Sequence, residues 1–398
     1  MMTNHIAFYQ FCSAVRRKGA LALCLGLCML GLGLSATAQD PTIITINPPG
    51  AGTGAWQGTQ AIEINPAGAF TGFYSDSKNV YHGFLRAADG TITTFDAPGA
   101  GSETVPGFYA TALVVLGGQG TYGIAINPAG AISGTYIDKH NVIHGFLRAP
   151  DGKFTTIDVP GAGTGAGQGT EADCINWLGE IAGTYWDASG VVHGFLRAPD
   201  GKFTKFDARG AGKEAGQGTI VEWASGPNPS GAITGNYVDG SDVSHGYVRA
   251  PDGAITEFDV PGAGKEAGQG TWSWSMNPGG AVTAMCVDAD NVAHGYVRAG
   301  DGAITKFDVP GAGTGPGQGT IGMNINLAGV IVGEYIDASG VNHGFVRAPG
   351  GAITKFDVSA AGKGAGQGTV PLINNIAGAI TGAYIDKGNV IHGFLRTP

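Results

Sequence analysis

Short runs in which apolar and polar residues alternate make up most of the chain. In residues 131–138, Ile132, Gly134 and Tyr136 fall on one side of the alternation, and Ser133, Thr135 and Ile137 fall on the other. A two-residue period rich in β-branched and aromatic residues predicts a β-strand. Proline and glycine interrupt the runs at regular intervals, which favours tight turns. Beyond the first 38 residues no segment has a useful helical period, so the pattern predicts an all-β protein.

The sequence His-Gly-(Phe/Tyr)-(Leu/Val)-Arg marks seven copies of one repeat. Each copy predicts four strands: a variable strand a ending in Ile-Asn, a strand b with Gly-x-Tyr-x-Asp, a strand c with the marker, and a short strand d. Four antiparallel strands in about 40–50 residues are typical of a propeller blade, so we predict a seven-bladed β-propeller. The marker histidines are His82, His144, His193, His245, His294, His343 and His392.

The two ends of the array predict that the ring closes on itself. Residues 42–48 match a strand d, whereas the last copy ends with strand c at Arg396. The first strand is therefore expected to complete the last blade, which would protect two sheet edges. We predict a single domain over residues 39–398, with an insertion at residues 102–116.

The first 38 residues have the pattern of a secretory signal peptide. A basic segment at 16–18 precedes an apolar run at 21–34, and small residues lead to a cleavage site after Ala38. The run is shorter than the ~20 residues of a membrane span. We therefore expect a secreted or periplasmic protein without a membrane span. In that setting Cys174 and Cys286 occupy different positions of non-adjacent repeats, which favours two buried thiols over a disulfide.

Composition and charge limit the classes of partner that this protein is expected to bind. Glycine accounts for 72 of 398 residues, but 43% of the residues are hydrophobic, which is enough for a core. The formal net charge is −9 with the signal peptide included, and the predicted signal peptide carries basic residues and no acidic ones. An acidic protein is a poor ligand for nucleic acid and for anionic membranes. We expect a monomer.

The residues that recur in every copy favour structure over chemistry. The marker histidines lie one per blade and too far apart to share a metal, so we predict no metal site and no cofactor. Side chains of the His144, Asp138 and Arg148 type are expected to tie the hairpin between strands b and c. The glycine-rich loop joins two strands, which disfavours phosphate binding, and its repeated glutamine is expected to bond neighbouring blades.

The repeat resembles that of the HAF family of bacterial extracellular repeat proteins. The resemblance rests on the His-Gly-Phe or His-Gly-Tyr core, preceded by Ile-Asn-x-x-Gly and Gly-x-Tyr-x-Asp, and it covers nearly all of residues 41–398. It implies an exported repeat protein and assigns no activity to particular residues.

Strand a is where the copies differ, and strand a lies nearest the axis of a propeller. Carboxylates that accept from hydroxyls, together with aromatic faces, suit a sugar. The alternative is that the aromatic residues plug the channel and the acids are solvated at its mouth. The candidate axial binding residues are Glu63, Tyr122, Glu171, Asp173, Glu222, Trp223, Trp272, Trp274 and Asn324.

Three kinds of function remain open on the sequence. The first is an exported propeller that binds carbohydrate or another extracellular polymer, at the axis or in repeated grooves between blades. The second is a structural or adhesive surface protein. The third is a polysaccharide hydrolase or lyase that uses two of the axial carboxylates, which is disfavoured because no catalytic motif is present, so we assign no catalytic residue.

Overall fold

The computed structural model describes residues 41–103, 118–222 and 226–398. These residues form 29 β-strands joined by turns, and they contain no α-helix. Within these three ranges, then, nothing helical has the length and apolar character to cross a membrane. The predicted signal peptide, most of the predicted insertion and Trp223 lie outside the described residues.

The strands fall into successive sets of antiparallel neighbours, except that the first two short strands of set 5 both pair with the third. Set 1 is β2 (Gly58–Ile64), β3 (Phe70–Ser75), β4 (Tyr81–Arg86) and β5 (Ile92–Phe95); set 2 is β6 (Gly120–Ile126), β7 (Ile132–Ile137), β8 (Ile143–Arg148) and β9 (Phe154–Ile157); set 3 is β10 (Gly169–Ile175), β11 (Ile181–Trp186), β12 (Val192–Arg197) and β13 (Phe203–Phe206); set 4 is β14 (Gly218–Ile220), β15 (Ile233–Val238), β16 (Ser244–Arg249) and β17 (Ile255–Phe258). Set 5 is β18 (Gly270–Thr271), β19 (Ser275–Met276), β20 (Val282–Val287), β21 (Ala293–Arg298) and β22 (Ile304–Phe307); set 6 is β23 (Gly319–Ile325), β24 (Ile331–Ile336), β25 (Asn342–Arg347) and β26 (Ile353–Phe356); set 7 is β27 (Gly368–Asn374), β28 (Ile380–Ile385), β29 (Ile391–Thr397) and β1 (Thr42–Ile46).

Neighbouring sets are joined into a ring. The first residue of the first strand in each set forms a parallel bridge with the strand of the preceding set that carries the His-Gly marker, as Gly120 does with Tyr81. The last of these links joins Gly58 to Ile391 and returns the chain to its starting point. The described residues therefore form a closed, all-β, propeller-like fold.

Each link between sets requires a glycine. Gly58 has a φ of +121°, and a Cβ at this position would lie 1.9 Å from the carbonyl oxygen of Ile391. A side chain would therefore push the two sets apart as well as strain the backbone. This contact explains the second glycine of the repeated Gly-Gln-Gly-Thr sequence.

The first strand pairs with the last, as the ends of the array predicted. Antiparallel register runs from Thr42 opposite Thr397 to Ile46 opposite Gly393. Across the same junction, the hydroxyl groups of Thr45 and Tyr384 lie 3.1 Å apart. A strand from one end of the chain thus completes the set formed at the other end.

At this junction a hydrogen bond that joins the other neighbouring sets is missing. In set 2, the hydroxyl oxygen of Thr121 accepts the Ala97 N–H of the preceding set at 2.9 Å, and the same bond recurs around the ring. At the junction the corresponding donor position is Pro48, which has no N–H. The hydroxyl of Thr59 is buried there without a hydrogen-bond partner.

The asparagine that follows each first strand links the sets on one face. In set 1, the Oδ1 of Asn65 accepts the N–H groups of Ala67 and Ala69, and its Nδ2 donates to the carbonyl of Asn127. The same side-chain link runs between six of the seven neighbouring pairs. At the remaining pair, Asn176 donates to Glu180 of its own turn at 2.7 Å. We call this arrangement the asparagine ring.

We expect Asn127→Ala to lower the free energy of unfolding by about 1 kcal/mol more than Asn176→Ala, because only Asn127 bonds the next set. Both substitutions remove two hydrogen bonds within the turn. Urea unfolding of the two variants measures the difference. Equal losses would contradict a contribution of the ring to stability.

The repeated histidines are structural, but their partners differ in part from the prediction. His144 lies between two carboxylates, with its Nδ1 2.8 Å from Asp158 and its Nε2 3.7 Å from Asp138, and it stacks on Tyr136. Arg148 does not tie the hairpin, so that part of the prediction is wrong. It lies four residues beyond His144, about 13 Å along the strand, and its guanidinium covers the ring of Phe95 in the preceding set.

The repeated glutamine bonds within its own set. The Nε2 of Gln119 donates to the Oδ1 of Asn141 at 3.1 Å, so the expected side-chain bond between neighbouring sets is wrong. The backbone makes that contact instead, because the carbonyl of Gln119 accepts the Tyr81 N–H at 3.0 Å. The two cysteines form no disulfide and both are buried, in line with the sequence.

Candidate functional site

The first strands of the sets lie next to one another around the axis. At their asparagine ends they enclose a cavity of about 180 Å³, which we call the axial cavity. Its lining residues come from the strands nearest the axis or from the segments that lead from them to the second long strand of each set. The lining residues are Glu63, Cys174, Ile175, Gly226, Pro227, Asn228, Pro229, Ser275, Met276, Pro278, Asn324 and Ile373.

Three polar side chains of the axial cavity bond the backbone of the next set. An Oε2 of Glu63 accepts the Ile126 N–H at 3.2 Å, and the hydroxyl oxygen of Ser275 accepts the Ile325 N–H at 3.2 Å. Asn324 donates to that hydroxyl at 2.9 Å. Burial raises the pKa of Glu63 to about 8, against the opposing effect of the bond from Ile126. Glu63 is therefore largely protonated at neutral pH.

Three other predicted carboxylates form a separate carboxyl cluster. Glu171 and Asp173 are each 8% exposed and lie on the same strand, and Glu222 lies two residues beyond the first strand of the next set. Burial raises the pKa of Glu171 to about 8, with a further contribution from the charge of Glu222. Burial and both neighbouring carboxylates raise the pKa of Asp173, and burial raises that of Glu222 to about 7. The Oδ2 of Asp173 has no hydrogen-bond partner.

Set 6 contributes a further buried carboxyl group, which was not predicted because it does not lie on strand a. Glu334 lies on β24, opposite Ile321, and burial raises its pKa to about 8. In the sequence, this residue occupies the variable position of the Gly-x-Tyr segment in strand b, where the copies differ. There the other copies carry Phe73, Thr135, Thr184, Asn236, Met285 and Ala383.

The predicted aromatic residues that the structure describes pack in the interior. Tyr122 is fully buried, stacks on Tyr81 and donates to the Gly118 carbonyl at 2.7 Å. Trp274 is 1% exposed in a core cluster with Met276, and Trp272 is half-buried against the same cluster. These side chains offer no open ring face for a sugar at the axis.

The predicted axial residues therefore separate into three groups. Glu63 and Asn324 line the axial cavity, Glu171, Asp173 and Glu222 form the carboxyl cluster, and Tyr122, Trp272 and Trp274 pack in or against the core. In residues 41–103, 118–222 and 226–398, no group of three or more His, Cys, Asp or Glu side chains is arranged to hold a metal ion.

A larger cavity of about 640 Å³ lies where sets 6 and 7 meet. We call it the set 6–7 groove. Polar and small apolar side chains share its wall. They are Asp337, Ser339, Val341, Asn342, His343, Asp357, Val358, Ser359, Ala361, Gly362, Lys363 and Gly368.

Hydrogen bonds fix part of this wall and leave other atoms available. The Nδ1 of His343 is 3.0 Å from the Oδ2 of Asp357, and its Nε2 is 3.3 Å from the Oδ2 of Asp337. The Nδ2 of Asn342 donates to the Gln367 carbonyl at 3.2 Å, which leaves its Oδ1 open to a ligand. Lys363 is exposed, and no carboxylate of the described residues forms an ion pair with it.

Two residues of the groove were missed by the sequence analysis because they lie outside strand a. Asn342 starts strand c, where the other copies carry Tyr81, Ile143, Val192, Ser244, Ala293 and Ile391. Ser359 follows strand d at a position that is proline in five of the other copies and Arg209 in one. A comparison of all seven copies at every position would have identified both.

No known protein family matches the chain, and no curated protein matches it. Solved structures are similar in fold. The BP39L lectin from Burkholderia pseudomallei superposes with a TM-score of 0.50 and 10% sequence identity, over 82% of this chain and 94% of the lectin. TolB from Acinetobacter baumannii gives a TM-score of 0.42 at 10% identity, over 83% of this chain and 81% of TolB. An Aleuria aurantia lectin in complex with alpha-methyl-L-fucoside gives 0.39 at 13% identity, over 79% and 93%.

Proposed function

We propose that this chain is an exported carbohydrate-binding propeller of the HAF type, with each strand set as one of seven blades. The set 6–7 groove is its binding site. The observation that carries the proposal is the gathering of Asn342, Ser359 and Lys363 in one cavity, because the first two are absent from every other copy.

The chemistry of the groove suits a sugar. A volume of about 640 Å³ falls within the range of about 300–1,000 Å³ common for small-molecule sites. Sugar hydroxyls both donate and accept, and the groove offers the Oδ1 of Asn342 and a carboxylate oxygen of Asp357 as acceptors, with Lys363 as a donor. Val341 and Val358 supply apolar surface for the C–H face of a ring. The fold shared with the BP39L lectin supports the proposal, since that protein is a lectin.

We expect the protein to bind a glycan with one site per chain, and Asn342→Ala or Lys363→Ala to weaken binding by roughly tenfold each, the effect of losing one hydrogen bond to a ligand. A glycan array identifies the ligand, and titration calorimetry gives the stoichiometry and affinity. Lys265→Ala is the matched control, because Lys265 occupies the equivalent position in another copy.

The outcomes separate the alternatives. A stoichiometry near seven would place binding in all the grooves and would contradict a special role for the set 6–7 groove. An equal effect of Lys265→Ala and Lys363→Ala would do the same. If no glycan binds, the structural or adhesive function predicted as the alternative from the sequence gains support.

A further inference from the structure

One face of the ring carries a circle of exposed apolar residues. The residue directly after each member of the asparagine ring is exposed, and it is proline or a larger hydrophobic residue. Trp177, Leu327 and Ile376 are 58%, 57% and 54% exposed. Because six of the seven neighbouring pairs of asparagines are bonded, the residues that follow them lie on the same face of the ring. This apolar crown consists of Pro66, Pro128, Trp177, Pro229, Pro278, Leu327 and Ile376.

The axial cavity opens within the crown. Pro229 and Pro278 belong to both, so the apolar rim continues into the cavity wall. Large apolar patches on a surface mark interaction sites more often than chance. The crown is therefore an interaction surface with a small cavity at its centre.

The cavity contains a carboxyl group that lacks a cation. One oxygen of Glu63 accepts the Ile126 N–H, and no described residue donates to the other. No lysine, arginine or histidine of the described residues forms an ion pair with Glu63. The hydroxyl oxygen of Ser275 and the Oδ1 of Asn324 already accept N–H groups, so the acceptor that remains in this cavity is the carboxyl oxygen of Glu63 without a donor. A positively charged partner would favour the ionised form of Glu63, which burial alone disfavours.

We propose that the apolar crown and the axial cavity form a docking site for a polypeptide segment that presents an arginine or lysine side chain between apolar residues. The charged end of that side chain enters the cavity and pairs with Glu63. The flanking apolar residues cover Trp177, Leu327 and Ile376. A cavity of about 180 Å³ suits one side chain better than a whole ligand, since small-molecule sites span about 300–1,000 Å³.

The test uses a fluorescein-labelled pentapeptide with blocked ends, in which one arginine lies between two leucines on each side. The comparison peptide carries citrulline, which has nearly the same shape as arginine but no charge. Fluorescence anisotropy at pH 8 measures both affinities. We expect one arginine peptide per chain and at least tenfold weaker binding of the citrulline peptide. Because this comparison uses the unaltered protein, it does not depend on the folding of any variant.

Two pairs of variants locate the site. Glu63→Gln should weaken the arginine peptide at least tenfold, whereas Glu334→Gln, which removes a buried carboxyl outside the cavity, should leave it unchanged. Trp177→Ala should weaken binding several-fold, and Ile44→Ala, an exposed apolar residue outside the crown, should not. Equal binding of the two peptides, or full binding to the Glu63→Gln variant, would overturn the proposal. The glycan experiment uses a different part of the molecule, so either proposal can fail alone.

Discussion

We expect the free energy of unfolding to fall as the pH rises from about 5 to about 8, the opposite of what paired carboxylates produce. The cause is the set of buried carboxyl groups near the axis. The pKa values of Glu63, Glu171 and Glu334 are raised to about 8 and that of Glu222 to about 7, from 4.5 in each case, and the pKa of Asp173 is raised as well.

The direction of this pH dependence follows from the number of protons that the folded and unfolded states bind. Between pH 4.5 and the raised pKa, the folded state keeps a proton that the unfolded state has lost, so raising the pH favours unfolding. Each carboxyl then costs about 1.4 kcal/mol per pH unit. Asp187 and its counterparts in other sets have lowered pKa values and act in the opposite direction, but only as the pH falls toward 3.8. The stability maximum is therefore expected near pH 5.

Urea unfolding at intervals from pH 4.5 to 9 measures how the free energy of unfolding changes with pH. Glu171→Gln should make this dependence on pH weaker, because the variant has no proton to lose at that position. Glu214→Gln removes an exposed carboxyl and serves as the control. A free energy of unfolding that rises between pH 5 and pH 8 would contradict the burial of these groups.

Replacement of Trp274 by alanine should cost about 3–5 kcal/mol of stability, the usual range for a buried tryptophan. The side chain is 1% exposed and packs with Met276 and Met323, so its removal leaves a large cavity in the core. Trp272→Ala should cost less, because Trp272 is half-buried. Trp177→Ala should change stability by no more than about 0.5 kcal/mol, since the side chain is mostly exposed.

Thermal or urea unfolding of the three variants gives the order directly. We expect the largest loss of stability for Trp274→Ala, a smaller loss for Trp272→Ala and the smallest for Trp177→Ala. A mild effect of Trp274→Ala, together with the loss of a bound glycan, would return this residue to the axial binding site predicted from the sequence.

The closed ring and the pairing at its junction could be predicted from the sequence because both depend on features that recur in every copy of the repeat. The seven markers, the turn residues and the match of residues 42–48 to a strand d all recur in register, and the pairing of β1 with β29 follows from them. The asparagine ring was equally visible as a repeated residue, but its bonds run between copies. A pattern within one copy does not show them.

The axial site was harder to predict because the first strands do not keep a strict two-residue period. In set 1 the register with the next strand shifts between Ala61 and Ile64, and in set 6 it shifts between Gly322 and Asn324. Such a bulge changes the side to which the following residues point. Glu63 and Asn324 lie in the bulged segment and reach the cavity, whereas Tyr122 precedes the shift in its own strand.

The pairing of β1 with β29 has a consequence for how the protein is made. Thr45 and its partner Tyr384 are 339 residues apart in sequence, so the first strand of the ring pairs only when the last strand of the ring has been made. Until β29 has been synthesised, Ile43 and Ile46 of β1 have no strand set to cover them, and afterwards β29 must pair with β1 before another chain does. Contacts this distant in sequence form slowly. Folding is therefore expected to end with one late step, in which β1 docks on β29 and closes the ring.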